Sequence, residues 1–442
     1  MIWRFREVVK SLLSALALTF MLARLTSVSA APDQWSAAAP TNIPRGNDTA
    51  TVLPGGKVLV VGGDDNGGKR LASAELYDPL SNSWTLVASM ETVRHFHTAT
   101  LLKNGMVLVA GGSTGPGGIL ASAELYDPLT NRWSAVASMS TPRAYASAVL
   151  LANGRLLVSG GIRSGRGDGN VTAEIYDPDA NRWSLVASNP QIQGGESLTL
   201  LGSGKVLLVG TSQPQLYDPD SDSWSSAGTM AFPRHTHTAT LLNDGRVLIA
   251  GGFAQTGAGG NPQTDTTEIY DPVANGWARG ATMTATRAFH TATRLTDGRV
   301  LVVGGEEASG PYLATTELYD PVANGWTLAG SLSGPRGAHM ASLLSDGRVL
   351  VTGGWGAGDT YASTEVYEPA PPGSAASTPS PSAGASATPS PAATNAAIGA
   401  SPLAASQGRL SRLENVWPFL AAPVLLLLAI VSFRLMRRRR RI

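Results

Sequence analysis

The chain has 442 residues, with 50 Gly, 28 Pro, no Cys, 15% charged residues and a formal net charge of +1. Without Cys it can form no disulfide, no Cys-ligated zinc site and no thiol nucleophile, and its near-zero charge creates no overall field for nucleic acid. That much Gly without a collagen period implies many tight turns, hence many short strands.

The N-terminus carries Arg4, Arg6 and Lys10, then the apolar run Leu12 to Leu22, then Val28-Ser29-Ala30. A basic start, a short apolar run and a small-residue site are the parts of a secretory signal peptide. The run is too short to cross ~30 Å of hydrocarbon at ~1.5 Å per residue. Residues 1–30 are therefore expected to be a signal peptide. An uncleaved anchor is the alternative, and Arg24 leaves the cleavage point open.

From residue 31 to 369 the chain repeats. Tyr77, Tyr126, Tyr176, Tyr217, Tyr270, Tyr319 and Tyr367 each precede an acidic residue and Pro. They recur about every 50 residues, most closely between Tyr176 and Tyr217. Trp35, Trp84, Trp133, Trp183, Trp224, Trp277 and Trp326 keep step with them. Each unit reads as four strands. The first follows an Arg, as at Arg94-His95-Phe96-His97. A pair such as Asn104-Gly105 or Asp244-Gly245 then predicts a type I′ hairpin turn. The second strand is a continuous apolar run, such as Val58-Leu59-Val60-Val61, and ends in a Gly doublet such as Gly62-Gly63. Such a run fits a strand buried on both faces. The third carries the Tyr, and a Trp opens the fourth.

Four antiparallel strands repeated at this period make a propeller blade. The Gly doublet, the Tyr and the Trp at these separations resemble the kelch motif, over roughly Trp35 to Pro369. The last unit ends at Tyr367-Glu368-Pro369 without a Trp strand, and an extra one stands in front at Trp35. The expected fold is thus all-β: a seven-bladed kelch β-propeller closed by its N-terminal strand, which removes two free sheet edges. Six blades is the alternative if the irregular fourth unit makes none.

Residues 370–408 are Ala, Ser, Pro and Thr, with no charge and too few large apolar residues for a core. They are expected to form a disordered stalk, followed by a juxtamembrane segment at 409–415. Residues 416–436 hold one charge, Arg434, and suit a spanning helix. The basic tail 437–442 should stay cytoplasmic. No Leu-Pro-x-Thr-Gly sorting signal is present. The expected address is a bacterial-type cell membrane, single-pass, with a monomeric propeller outside.

Within a blade the chain runs up, down, up, down. The second-to-third loops and the blade-to-blade links therefore share one face, while the repetitive turns share the other. Function on a rigid scaffold concentrates in variable loops, here carrying Phe253, Tyr312, Trp355 and Tyr361. The same face receives the start of each first strand, with Arg45, Arg94, Arg143, Arg234, Arg287 and Arg336. Two uses are open for them. They could form a basic ring for an anionic ligand, or each could pair with a third-strand Glu from Glu75 to Glu365. Unit four lacks the Arg and has Gln215 for the Glu, as mutual pairing requires. All six histidines, among them His95 and His235, lie near these arginines. Strand alternation would point His95 and His97 to one face. They belong to units that are not neighbours of the other pair, so no metal site is expected. Phosphate-loop and nucleophile-elbow motifs are absent.

The resemblance extends to the galactose oxidase propeller, whose copper radical site uses a Tyr cross-linked to a Cys. That cofactor cannot form here, and none is expected. Mutarotase-like sugar chemistry, which some kelch propellers perform, needs no metal, and Asp48 is the acid that could serve it. The expected function is recognition of a protein or carbohydrate ligand at the membrane surface. The site residues are Asp48, Arg94, His95, Arg234, His235, Phe253, Tyr312, Trp355 and Tyr361. The alternative is a tethered carbohydrate-active enzyme of mutarotase type.

Overall fold

The computed structural model describes residues 33–370, apart from 164–171, 188, 190, 191, 193, 194, 211, 256–261, 309 and 357. The expected signal peptide, stalk, helix and basic tail lie outside the described residues. Among the described residues no helix is long and apolar enough to cross a membrane.

Seven four-stranded antiparallel sheets follow one another along the chain. Blade 1 is built from Thr49–Val52, Val58–Val61, Ala74–Asp78 and Ser83–Val87. Blades 2 to 6 have inner strands at Thr98–Leu101, Ser147–Leu150, Ser197–Leu200, Thr238–Leu241 and Thr291–Arg294. The irregular fourth unit is thus a complete blade. Blade 7 takes Met340–Leu343, Val349–Thr352 and Thr364–Glu368 from the end of the chain, and Gln34–Ala38 from its beginning. In that closing pair Trp35 stands opposite Tyr367.

The continuous apolar run of the second strand is explained by its neighbours. Leu59 and Val61 pack with Val107 and Val109 of blade 2. Val58 and Val60 pack with Leu344 and Leu350 of blade 7. Alternate side chains thus serve two interfaces, and the core is a ring of interblade layers. Each blade buries its Tyr against its Trp at 4.9–5.2 Å between ring centroids.

The Trp also grips the preceding blade. Its indole N–H donates to a carbonyl just past the fourth strand there, as from Trp84 to Ala39 at 2.8 Å. At the closure the same bond runs from Trp35 to Gly330 at 3.1 Å. A left-handed Asn beside the Trp completes the grip. Asn82, at φ 47, accepts from the Tyr77 hydroxyl and from the Ala39 amide. Asn tolerates that backbone because its short side chain bonds locally. Asp33 takes this place at the closure, accepting from Tyr367 at 2.6 Å.

The first hairpin turn is not type I′. Gly105 N–H bonds to Leu102 O and Leu102 N–H to Met106 O, which makes a three-residue loop. Only the Gly is left-handed there, at φ 84, while Asn104 caps the turn by accepting from Met106 N–H. A type I turn with a glycine bulge needs one positive φ, whereas type I′ needs two.

Candidate functional site

The six arginines lie beneath the loop face. Each is 0–1% exposed. Arg45 meets Glu75 at 2.7 Å with neither side chain exposed, and also donates to the carbonyls of Gly62 and Ser73. Glu75 accepts in turn from the backbone N–H groups of Asn42 and Ile43, in the link from blade 7. The remaining five pairs repeat this, among them Arg94–Glu124 at 2.9 Å and Arg234–Glu268 at 3.4 Å. The pairs tie link, arm and third strand together. The basic ring is therefore corrected: Arg94 and Arg234 present no guanidinium to a ligand on this face.

Before each inner strand the chain takes a three-residue arm, which follows the Arg in six of the seven blades. Its middle residue is left-handed: Asn47, Phe96, Tyr145, Gly195, Thr236, Phe289 and Ala338. Backbone bonds link these residues around the channel mouth, from Phe96 N–H to Asn47 O, Tyr145 N–H to Phe96 O and Ala338 N–H to Phe289 O. The left-handed residue breaks strand alternation, so His95 and His97 diverge. His97 turns into the seam with blade 1, where Nε2 meets Thr49 Oγ1 at 2.9 Å. His237, His290 and His339 do the same on Ser197, Thr238 and Thr291. Desolvation holds all four far below the ordinary imidazole value, at about 3.

The first arm residue instead faces the residue that follows the Gly doublet. Gly46 bridges to Asp64, His95 to Ser113, Ala288 to Glu306 and Gly337 to Trp355. In blade 5 the bridge extends to a short ribbon, Arg234–His235 with Phe253–Ala254. These pairs, with the left-handed side chains, line the mouth.

Two parts of the mouth are distinctive. In blades 7 and 1 a glycine stands at the first arm residue, and aromatic rings from the loops of blades 6 and 7 fill the space. Trp355 lies against Gly46, where an added Cβ would come 2.5 Å from Nε1. Tyr312 lies against Gly337 in the same way, at 2.8 Å. Both rings are half-buried. Glu306 stands beside Tyr312, and burial raises both of their pKa values, that of Tyr312 to about 12. Over blades 1 to 3, Asp64 Oδ1 is 3.2 Å from His95 Nδ1, and Arg70 Nε donates to His95 Nε2 at 3.1 Å. Asn47 Nδ2 also donates to Asp64. Phe96 stacks on Tyr145 at 3.8 Å.

A family profile described as "KLHDC2/KLHL20/DRC7 Kelch-repeats domain" matches residues 21–211. Over those residues, less than half of the chain, the propeller is similar to a kelch-repeat domain, and the later blades repeat the same four-stranded pattern. A search of curated proteins gave no match. Among solved structures, the chain is similar to one titled "Novel fungal alcohol oxidase with catalytic diversity among the AA5 family, in complex with copper". The TM-score is 0.64 at 20% identity, over 76% of each chain. It is also similar to "Structure of YjhT", with a TM-score of 0.51 at 16% identity, over 66% of this chain and 99% of that one. Likeness at this identity concerns the fold. Among the described residues no three His, Cys, Asp or Glu side chains converge.

The propeller distributes the sequence-derived residues unevenly. Tyr312, Trp355 and Tyr361 gather over blades 6, 7 and 1, with the Arg336 guanidinium 4.8 Å from the Tyr361 ring centre. His95 lies over blades 1 and 2. His235 and Phe253 stack at 5.3 Å over blade 5, where Phe253 is buried and meets Phe289 edge-on. Asp48 is not at the mouth: it is 3% exposed, inside the seam between blades 7 and 1, and offers no surface to a ligand. Sequence reasoning missed Asp64, Phe96, Tyr145, Phe289 and Glu306. A signal existed, since the second residue after the Arg is aromatic in Arg94-His95-Phe96, Arg143-Ala144-Tyr145 and Arg287-Ala288-Phe289.

Proposed function

We propose that the chain is a recognition module that binds a neutral glycan at the channel mouth over blades 6, 7 and 1. One observation carries this: Trp355 and Tyr312 lie against glycines, with the carboxylate of Glu306 beside Tyr312. Aromatic faces take the C–H faces of a sugar ring, and carboxylates accept its hydroxyl protons. With all six arm arginines committed to glutamates, an anionic ligand has less to attract it there. In the same proposal residues 1–30 export the chain, 416–436 anchor it, and 370–408 lift the propeller from a cell surface. A protein ligand is the other occupant of the mouth.

The test is glycan-array binding by the purified chain, followed by titration of any hit. Trp355→Ala should weaken binding about tenfold, near 1.4 kcal/mol, with the melting temperature unchanged. An array without hits, or a hit indifferent to Trp355, sinks the glycan assignment.

A second reading, a carbohydrate-active enzyme of mutarotase type, is favoured by the Asp64–His95 pair. A carboxylate on Nδ1 orients the imidazole, and Nε2, which accepts from Arg70 Nε, would serve as a proton acceptor once a substrate displaced that bond. Anomer-exchange NMR on common sugars would detect it. Catalysis abolished by His95→Gln would replace the receptor assignment.

A further inference from the structure

Seven seams join the inner strands, and each has the same three seats. One is the last arm residue of the following blade. The second is the first inner-strand residue of the preceding blade, and the third is the residue paired with it on the second strand. In the seam between blades 3 and 4 these are Glu196, Ser147 and Ser159. Both hydroxyls donate to the glutamate, Ser147 to its carbonyl and Ser159 to Oε1 at 3.3 Å. In the seam that closes the ring they are Asp48, Met340 and Thr352. Met340 stands where the six other seams have Thr or Ser with a hydrogen-bonded hydroxyl, and it has no hydroxyl.

Asp48 is left in a buried seat in which no other residue's donor reaches either carboxylate oxygen. Thr352 Oγ1, next to Gly353, is buried and unpartnered as well. A Cβ on Gly353, the residue after Thr352, would come 3.3 Å from Asp48 Oδ1, so the carboxyl reaches this end of the second strand, though no hydrogen bond joins it to the Thr352 hydroxyl. The charged groups around the seat are already committed. Arg45 faces Glu75 at 2.7 Å, and Asp64 takes His95 and Asn47. From blade 7, Arg336 meets Glu365 at 2.8 Å, and His339 is buried neutral on Thr291. From blade 2, His97 is buried neutral on Thr49.

An ionised carboxylate only accepts hydrogen bonds, and here it would have no uncommitted counter-ion and at most the one Thr352 hydroxyl as a side-chain donor. A neutral carboxyl has one O–H, which the orphan Thr352 hydroxyl can accept. We propose that the ring-closing seam is a proton-operated latch, tight while the Asp48 carboxyl keeps its proton and loosened when that proton leaves. The latch stands independently of any ligand at the mouth. Burial raises the Asp48 pKa to about 7, which sets the range in which it would act.

The test is hydrogen exchange of the full-length protein at about pH 6 and pH 8.5. Peptides covering Gln34–Ala38 and Met340–Leu343 would be compared with Thr238–Leu241, whose seams seat His237 and His290 and no carboxyl, which corrects for the intrinsic rate. The closing-seam rate relative to that reference should rise at least about tenfold at the higher pH, a change of ~1.4 kcal/mol in opening by the standard conversion. In Asp48→Asn the ratio should stay constant, and the melting temperature at pH 8.5 should exceed that of the wild type. A constant wild-type ratio overturns the latch even if the variant fails to fold. An Asp48→Asn protein less stable at both pH values overturns it too, since the ionised carboxylate would then be held by a bound water or cation.

Discussion

Four of the seven seams seat a histidine on a hydroxyl, whereas the ring-closing seam seats an aspartate opposite a methionine. The two arrangements occupy the same backbone position and respond to protons in opposite directions. His97, His237, His290 and His339 titrate at about 3 in the fold and near 6.5 when unfolded, because desolvation penalises the charged ring. Between those values the unfolded chain binds protons that the fold refuses. Their contribution is intact above about pH 6.5 and drains as pH falls. Asp48 titrates at about 7 in the fold against 3.8 unfolded. Between those values the fold keeps a proton that the unfolded chain has lost, so its contribution drains as pH rises. A buried seat thus favours the neutral form in both cases, and the chemistry of the occupant sets the sign.

The largest expected effect follows from the histidine seams. Each can cost up to ~1.4 kcal/mol per pH unit below 6.5, and four act together. The propeller should unfold cooperatively between about pH 6 and 4, with uptake of several protons. Circular dichroism against pH, combined with proton-uptake calorimetry, would measure this. A melting temperature that stays flat down to pH 4.5 would show that the imidazoles are not sealed from water.

Next in size is the ion pair that six blades carry and blade 4 does without. Glu317→Ala leaves Arg287 buried with its charge unmatched, at 0% exposure for both side chains. That should cost about 3–5 kcal/mol in urea unfolding. The matching change in blade 4, Gln215→Ala, touches a half-buried residue whose side-chain amide donates to Gln213 O. It should stay within about 0.5 kcal/mol. Equal losses at the two sites would mean that the arginine finds water, and that the pairs are not what rigidifies the arms.

The same contrast shows what a sequence can disclose. The blade count, the closure by Trp35 and the Arg–Glu pairing were legible because each is a repeated pattern, and a repeat exposes dependencies where one copy departs. Gln215 revealed the pairing in this way. The direction of the histidines was not legible, because a left-handed residue separates His95 from His97. Phe96 and Tyr145 carry no local mark of that backbone, which bulky side chains rarely adopt, and the bonds that hold it come from the neighbouring blade. Asp48 could be recognised as standing in a histidine position. Its burial opposite Met340 could not be, since the two are close only once the ring is shut.

The smallest expected effect comes from the seam whose inner-strand hydroxyl faces an apolar last arm residue. Between blades 2 and 3 the last arm residue is Ala146, and Thr98 Oγ1 turns back to Ala110 O at 3.4 Å. Ala146→His should restore the bond made in the four histidine seams. The space is comparable: Met139 Cε lies 3.2 Å from a Cβ built on Gly111, and Met90 Cε lies 3.4 Å from one on Gly62, beside the existing His97. A methionine there can move aside at little cost because its side chain is unbranched. One hydrogen bond to a buried hydroxyl contributes about 1 kcal/mol, so the variant should melt slightly higher than the wild type at pH 8. Below pH 6 the gain should reverse, since a fifth buried imidazole adds to the protons that the fold refuses. A pH-independent change of either sign would place the new ring in water rather than in the seam.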